Sequence, residues 1–286
     1  MQFLSGKTER QKRLFYSVFI CLVAILWFTP IFWMLVTSFK PTNIAVAENP
    51  PRWIPQPFTL ENFRAIFKSA GGISISLAFF NSLLVAIIST LAGLSVATPA
   101  AYALARMRFP GQKVIFWTYV GVLAFPGVLF LVPNYYIINQ LSLMNSFGAL
   151  ILPGLGGTFG VFLLRQYMLG IPRELEEISW IDGCSRLRFL VTIAVPIIRP
   201  ALITLGLMSF LGSWNGFLWP LLVLTSADKF TLPIAMVRFS AGWGDPYRGI
   251  GPSLAAAFLS VAPVLVIFVL FHRYLMRGIS LGSIGK

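Results

Sequence analysis

Charged residues divide the sequence into long apolar stretches joined by short polar ones. The uncharged stretches are 14–39, 69–105, 114–164, 200–227 and 249–271, with 26, 37, 51, 28 and 23 residues. A helix needs about 20 apolar residues to cross the hydrocarbon core of a bilayer. Each stretch is long enough, and none alternates over about ten residues as a barrel strand would. The 51-residue stretch is too long for one helix. Its middle, Pro133-Asn134-Tyr135-Tyr136 through Asn139-Gln140 to Asn145-Ser146, reads as interfacial turn chemistry and divides it in two. The pattern therefore predicts an all-α integral membrane protein with six transmembrane helices. Pro30, Pro99, Pro126 and Pro263 fall inside the stretches. Membrane helices tolerate such breaks when neighbours satisfy the freed carbonyls.

Composition agrees with the pattern. Hydrophobic residues make up 57% of the 286 positions and charged residues 11%, where soluble domains carry roughly 25% charge. An ordinary soluble enzyme, a disulfide scaffold and a disordered tail are excluded. The net charge of +13 fits a basic membrane protein facing anionic lipid rather than nucleic acid, because no polar basic segment is interleaved with base-stacking aromatics. Fifteen of the 22 Lys+Arg lie on the side that carries both termini: 1–13, 106–113, 165–199 and 273–286. Seven lie on the other side, in 40–72 and 226–248. The positive-inside rule then puts both termini in the cytoplasm. The start is basic, then apolar, and Ala45-Val46-Ala47 mimics a cleavage site. The apolar stretch of 26 exceeds a signal core of about 7–15, so an uncleaved first span is expected. The expected organisation is an N-tail 1–13, a six-helix body 14–272 and a C-tail 273–286. The lone His272, with Cys21 and Cys184 far apart, offers no metal-type spacing and no expected disulfide.

The cytoplasmic segment 165–199 carries the most information. Pro172 suits a first helical turn, Glu174, Glu176 and Glu177 suit a helix N-terminus, and Gly183 suits a left-handed stop. Leu175, Ile178 and Ile181 recur every third residue as one apolar stripe. A short amphipathic helix is expected. Ser185 is placed to cap a second helix, Arg186 to Val195, with Pro196 ending it.

Glu177, Gly183 six positions later, Ile193 ten beyond that, and then Pro196 resemble the EAA loop, E-A-A-x3-G-x9-I-x-L-P, of ABC importer permeases. Ile178 and Ser179 stand for the two alanines and Val195 for the leucine. Asp182 precedes the glycine, as it commonly does. Tyr102 to Gly111, Phe162 to Gln166, Ile171 to Leu175, Ser213 to Leu221 and Arg273 to Ile279 are similar to segments of sugar permeases, which frequently carry Asp where Gly216 stands. The chain thus resembles the smaller, maltose-permease-like subunit of carbohydrate ABC importers. That resemblance implies the type I importer permease fold in a bacterial inner membrane. It implies a second permease subunit as heterodimer partner, two cytosolic ATPase subunits and an extracytoplasmic solute-binding protein. It also implies that Leu175, Glu177, Ile178, Ser179, Ile181, Asp182, Gly183 and Arg186 form the ATPase-coupling surface.

The chain lacks a G-x-x-x-x-G-K-[ST] phosphate loop, so ATP and Mg are expected on the partner ATPases and no cofactor or metal on this chain. Gly154 to Gly160 is glycine-rich without the phosphate-loop lysine, and reads as close helix packing. Sugars stack on aromatics and bond to amides and hydroxyls. Asn81, Ser213, Trp214, Asn215 and Trp219 are therefore candidates to line the pathway, with interhelical packing as the competing use. Trp53, Trp243 and Tyr247 suit either an interfacial belt or contact with the binding protein. The tail after Arg277 either reaches the ATPases or frays. A phosphorylated or otherwise charged cargo would want cationic groups in the spans. A proton- or sodium-coupled carrier would want a carboxylate there. The six apolar stretches contain neither.

Overall fold

The computed structural model describes residues 3–47, 52–68, 72–241 and 246–280, with side chains described at 11–44, 52–68, 72–241 and 249–271. Pro50, Pro51, Trp243 and the tail beyond Ser280 lie outside the described residues, as do the side chains of Ala45 to Ala47, Tyr247 and 272–280. Every regular element among the described residues is helical. In chain order these are α1 (Phe3–Ser38), α2 (Thr42–Ala47), α3 (Glu61–Ile66), α4 (Ile75–Arg106), α5 (Gln112–Leu123), α6 (Leu131–Gln140), α7 (Phe147–Ile151) and α8 (Thr158–Leu169). Then follow α9 (Arg173–Ile181), α10 (Arg186–Phe189), α11 (Val195–Ile197), α12 (Arg199–Trp214), α13 (Leu218–Val223), α14 (Leu232–Ala241) and α15 (Pro246–Ser280).

Three stretches are single helices long and apolar enough to cross a membrane: Gln11–Ser38, Ile75–Arg106 and Gly249–Phe271. Three more are bent pairs, so the described residues contain up to six spans. Pro30, Pro99 and Pro263 stay inside continuous helices, whereas other prolines set the breaks. Gln112–Leu123 and Gly127–Gln140 meet at 106°. Pro126 lacks an N–H, and its ring crowds the carbonyl four residues back, so α5 stops at Leu123. The interfacial turn expected over 133–146 is correspondingly shorter. Pro133 to Gln140 is helical, and the chain reverses over 141–146, where Ser142 and Asn145 have φ near +55°.

Two further expectations are corrected. Pro196 does not end the second cytoplasmic helix. The chain passes through a π-turn at Leu190–Ala194 and remains helical to Ile197. That wider turn accommodates the proline ring. The direction changes at Ile198, before Pro200, with an 81° bend. The stretch 200–227 is not one helix either. It breaks at 215–217 between α12 and α13, where Pro220 would crowd the carbonyl of Gly216. The expected N-tail is already helical from Phe3.

The chain divides into two compact units, Met1–Ile75 with Met236–Val261, and Ser76–Ala235 with Ala262–Lys286. The first is organised around polar groups buried beside α1. The Lys40 ammonium donates to the carbonyl of Arg52 and lies 5.0 Å from the Trp33 ring centroid. Asn62 donates to the carbonyls of Ser38 and Lys40 at 2.9 and 2.7 Å and accepts from the Thr42 hydroxyl at 3.1 Å. Trp53 packs edge-on against Trp33, 5.2 Å between centroids. Gly251 faces this knot: a Cβ there would overlap Oδ1 of Asn62 and Oγ1 of Thr42. Gly251→Ala is therefore expected to lower stability by about 1–3 kcal/mol, as overpacking does, seen as a lower unfolding midpoint in detergent.

In the second unit α4, α8, α10 and α12 share one core. Ala97 and Ala101 of α4 meet Val161, Leu164 and Met168 of α8, with Phe189, Ala194, Ala201 and Leu205 closing it. Small residues let the backbones approach. Gly160 is the clearest instance, since a Cβ there would stand 3.1 Å from Leu205 Cδ2. Elsewhere in the glycine-rich run, a Cβ at Gly154 or Gly156 would meet nothing within 4 Å.

Candidate functional site

The segment 171–198 builds its site from local signals. Pro172 is the N-cap residue of α9, and Glu174 and Glu176 occupy the first turn. There they complement the positive end of the helix dipole. The helix stops after Ile181. Gly183 adopts φ +73°, and the amides of Cys184 and Gly183 return to the carbonyls of Ser179 and Trp180 at 2.8 and 3.0 Å. This is a left-handed C-terminal cap, which glycine accepts without strain. Ser185 then accepts from the Arg188 amide at 3.3 Å and opens α10.

Helix α9 has two faces. Leu175, Ile178 and Ile181 are 41%, 57% and 85% exposed, so the predicted stripe is uncovered by the described chain. Glu177, Asp182 and Arg186 are exposed too. Ser179 is not part of that surface. It is buried, and its hydroxyl donates to the carbonyl of Glu176 at 2.7 Å.

Glu176 anchors the buried face. One carboxylate oxygen accepts from the Tyr102 hydroxyl at 2.9 Å. The other lies 3.6 Å from the Arg106 guanidinium. Arg106 also donates to the carbonyl of Met168 at 3.0 Å and to that of Ile171, satisfying carbonyls at the end of α8. Arg165 adds a bond to the Leu104 carbonyl at 3.0 Å and lies over the Phe116 ring. Phe189 of α10, fully buried, packs against Tyr102 with centroids 6.1 Å apart. The loop is thus fastened to α4 and α8. From the sequence, Arg106 counts as a side-determining charge, Glu176 as a helix-N-terminal acid and Tyr102 as part of a segment resembling sugar permeases, with no contact among the three expected. The four-residue spacing of Tyr102 and Arg106 on one helix face was the available signal. Beside this cluster a polar cavity of about 460 Å³ is lined by Arg108, Arg173, Glu177, Trp180 and Arg186, among others.

The pathway candidates separate clearly. Asn81 is buried and donates to the carbonyls of Asp228 and Phe230 at 2.8 and 3.1 Å. Trp214 is buried, stacked on Phe210 and edge-on to Phe79. The Trp219 indole donates to the Ala149 carbonyl at 2.9 Å. These three hold the chain's own segments together. Ser213 is half-buried, and Asn215 is exposed at the break between α12 and α13.

Residues 97–281 match the family model described as binding-protein-dependent transport system inner membrane component. The arabinooligosaccharides transport system permease protein AraQ of Halalkalibacterium halodurans is 32% identical over 268 residues, 93% of this chain and 93% of that protein. The sulfoquinovosyl glycerol transport system permease protein SmoH of Agrobacterium fabrum is 33% identical over 284 residues, 99% and 95% of the two chains. In fold, the chain is similar to a chain of a solved bacterial ABC transporter involved in the import of the acidic polysaccharide alginate. The TM-score is 0.81 over 93% of this chain and 97% of that one, at 20% identity.

Proposed function

The chain belongs to the family of binding-protein-dependent transport system inner membrane components, and from that membership we propose that it forms half of the translocation pathway of an ATP-driven importer of sugars or oligosaccharides. Two relatives are named for arabinooligosaccharides and sulfoquinovosyl glycerol, which supports a carbohydrate cargo. The observation that carries the coupling role is the two-faced helix α9, fixed inside through Glu176 and Ser179 and uncovered outside along Leu175, Ile178 and Ile181. An amphipathic helix with an open apolar stripe fits a partner's groove.

In this reading the stripe seats in a cytosolic ATPase subunit. Glu177 pairs with a basic group there, while Asp182 and Gly183 set the bend and Arg186 flanks it. Ser179 holds the helix rather than the partner. ATP and Mg are bound and used on the two ATPase subunits, and this chain performs no catalysis. A second permease subunit completes the pathway and a solute-binding protein delivers cargo on the outer side. Both termini are cytoplasmic in a bacterial inner membrane. Asn215, exposed at a helix break, is the best placed of the pathway candidates to meet sugar, since backbone breaks at membrane depth belong beside cavities.

The test is purification of this chain from its native membrane in mild detergent, with mass spectrometry reading the partners. The expected result is an ATPase and a second permease in the wild type, with the ATPase lost from Glu177→Lys. Recovery of the chain alone or as a homodimer overturns the reading.

A further inference from the structure

We infer that α4 is a rod that carries movement of the coupling helix α9 to the far segment Ala227–Leu232, latched at one end by Tyr102, Arg106 and Glu176 and at the other by Asn81 and Ser82. This rests on the coupling reading above and adds where the movement goes.

Helix α4 is continuous over 32 residues. At about 1.5 Å per residue, Asn81 and Arg106 stand roughly 38 Å apart along it. That exceeds a hydrocarbon core of about 30 Å, so the helix is long enough to set the two latches at opposite faces of a membrane. At the α9 end, two side chains one turn apart on α4 grip one carboxylate: the Tyr102 hydroxyl at 2.9 Å and the Arg106 guanidinium at 3.6 Å. Arg106 also holds the carbonyls of Met168 and Ile171, on either side of the turn joining α8 to α9. The end of α8, the turn and α9 are therefore tied to α4 through one buried group of atoms.

At the far end consecutive residues do the same work. The Asn81 amide donates to the carbonyls of Asp228 and Phe230, and the Ser82 hydroxyl accepts from the Leu232 amide at 2.7 Å. Asn81 and Ser82 are 7% and 2% exposed, and Glu176 is 6% exposed. Polar contacts shielded from water are strong and costly to break. They hold under displacement where an exposed pair would exchange with solvent. Between the latches, Ala97 and Ala101 pack into the shared core, so the middle of the rod is supported as well. Tyr102, Arg106, Glu176, Asn81 and Ser82 are positioning residues in this scheme, since none needs to touch cargo or nucleotide.

The test uses the full complex, purified through a tag on this chain and placed in lipid nanodiscs. Hydrogen–deuterium exchange is read with and without Mg-ATP plus vanadate. The wild type is expected to change exchange at both α9 and 227–241 on adding nucleotide. Glu176→Gln and Tyr102→Phe are expected to keep the α9 response and shrink the response at 227–241 by roughly fivefold or more, the scale of a coupling between sites. Asn81→Ala is expected to do the same from the other end. Tyr102→Phe removes one oxygen and leaves the ring against Phe189, so it decides the matter if Glu176→Gln folds poorly. An unchanged response at 227–241 in Tyr102→Phe, or none there in the wild type while α9 responds, overturns the rod. Absence of any α9 response in the wild type overturns the coupling reading instead.

Discussion

Replacing Ile178 and Ile181 together with aspartate is expected to abolish recovery of the ATPase while leaving the permease folded. The two side chains are 57% and 85% exposed, so the change removes little that the chain packs against itself. Burying an isoleucine in a partner's groove contributes about 1.5–3 kcal/mol. Loss of both comes to roughly 3–6 kcal/mol, and the new carboxylates must also be desolvated or left unpaired. Each 1.4 kcal/mol is about tenfold in affinity, so binding should fall by at least a hundredfold. Quantitative capture of the purified ATPase by nanodisc-embedded permease reads the loss, and the detergent unfolding midpoint checks the fold. Wild-type capture by the double variant would mean that the ATPase docks elsewhere.

Arg106→Ala is expected to have the opposite profile, a large loss of stability arising within the chain. The guanidinium is 4% exposed and its partner carboxylate 8%. Removing one member of a buried ion pair costs about 3–5 kcal/mol, because the other charge is left uncompensated. The carbonyls of Met168 and Ile171 lose their donor as well. A sharply lowered unfolding midpoint and poor yield are expected. The paired change Arg106→Met with Glu176→Leu should recover much of the stability, since a buried pair replaced by apolar residues of similar volume is often neutral. It should not recover transmission to 227–241, because neither new side chain offers a polar latch. Equal instability of the single and paired variants would show that the carbonyl bonds of Arg106 matter more than its charge pairing.

The sequence by itself determined the membrane class, the helical character of the apolar stretches and the short amphipathic helix α9. Those depend on signals that lie close together in the chain: uninterrupted apolar length, proline at the entry of α9, glycine at its left-handed exit, and Ser185 as the next cap. The stripe Leu175, Ile178, Ile181 was legible for the same reason, as a period within nine residues. Tertiary structure decided what those elements hold. The partner of Glu176 lies 74 residues away at Tyr102, and those of Asn81 lie 147 and 149 residues away. No local pattern encodes which buried polar group will meet which. Hence Arg106 read as a membrane-orienting charge and proved to be a clamp, and Ser179 read as partner surface and proved to face inward. Asn81, Trp214 and Trp219, candidates for the pathway or for packing, make contacts that tie the chain to itself. The breaks divide along the same line. Proline positions were visible, but Pro30, Pro99 and Pro263 remain within helices while Pro126, Pro200 and Pro220 accompany breaks. The residue is the same in both groups and its ring crowds the preceding turn in both, so which proline carries a break is read only from the folded chain.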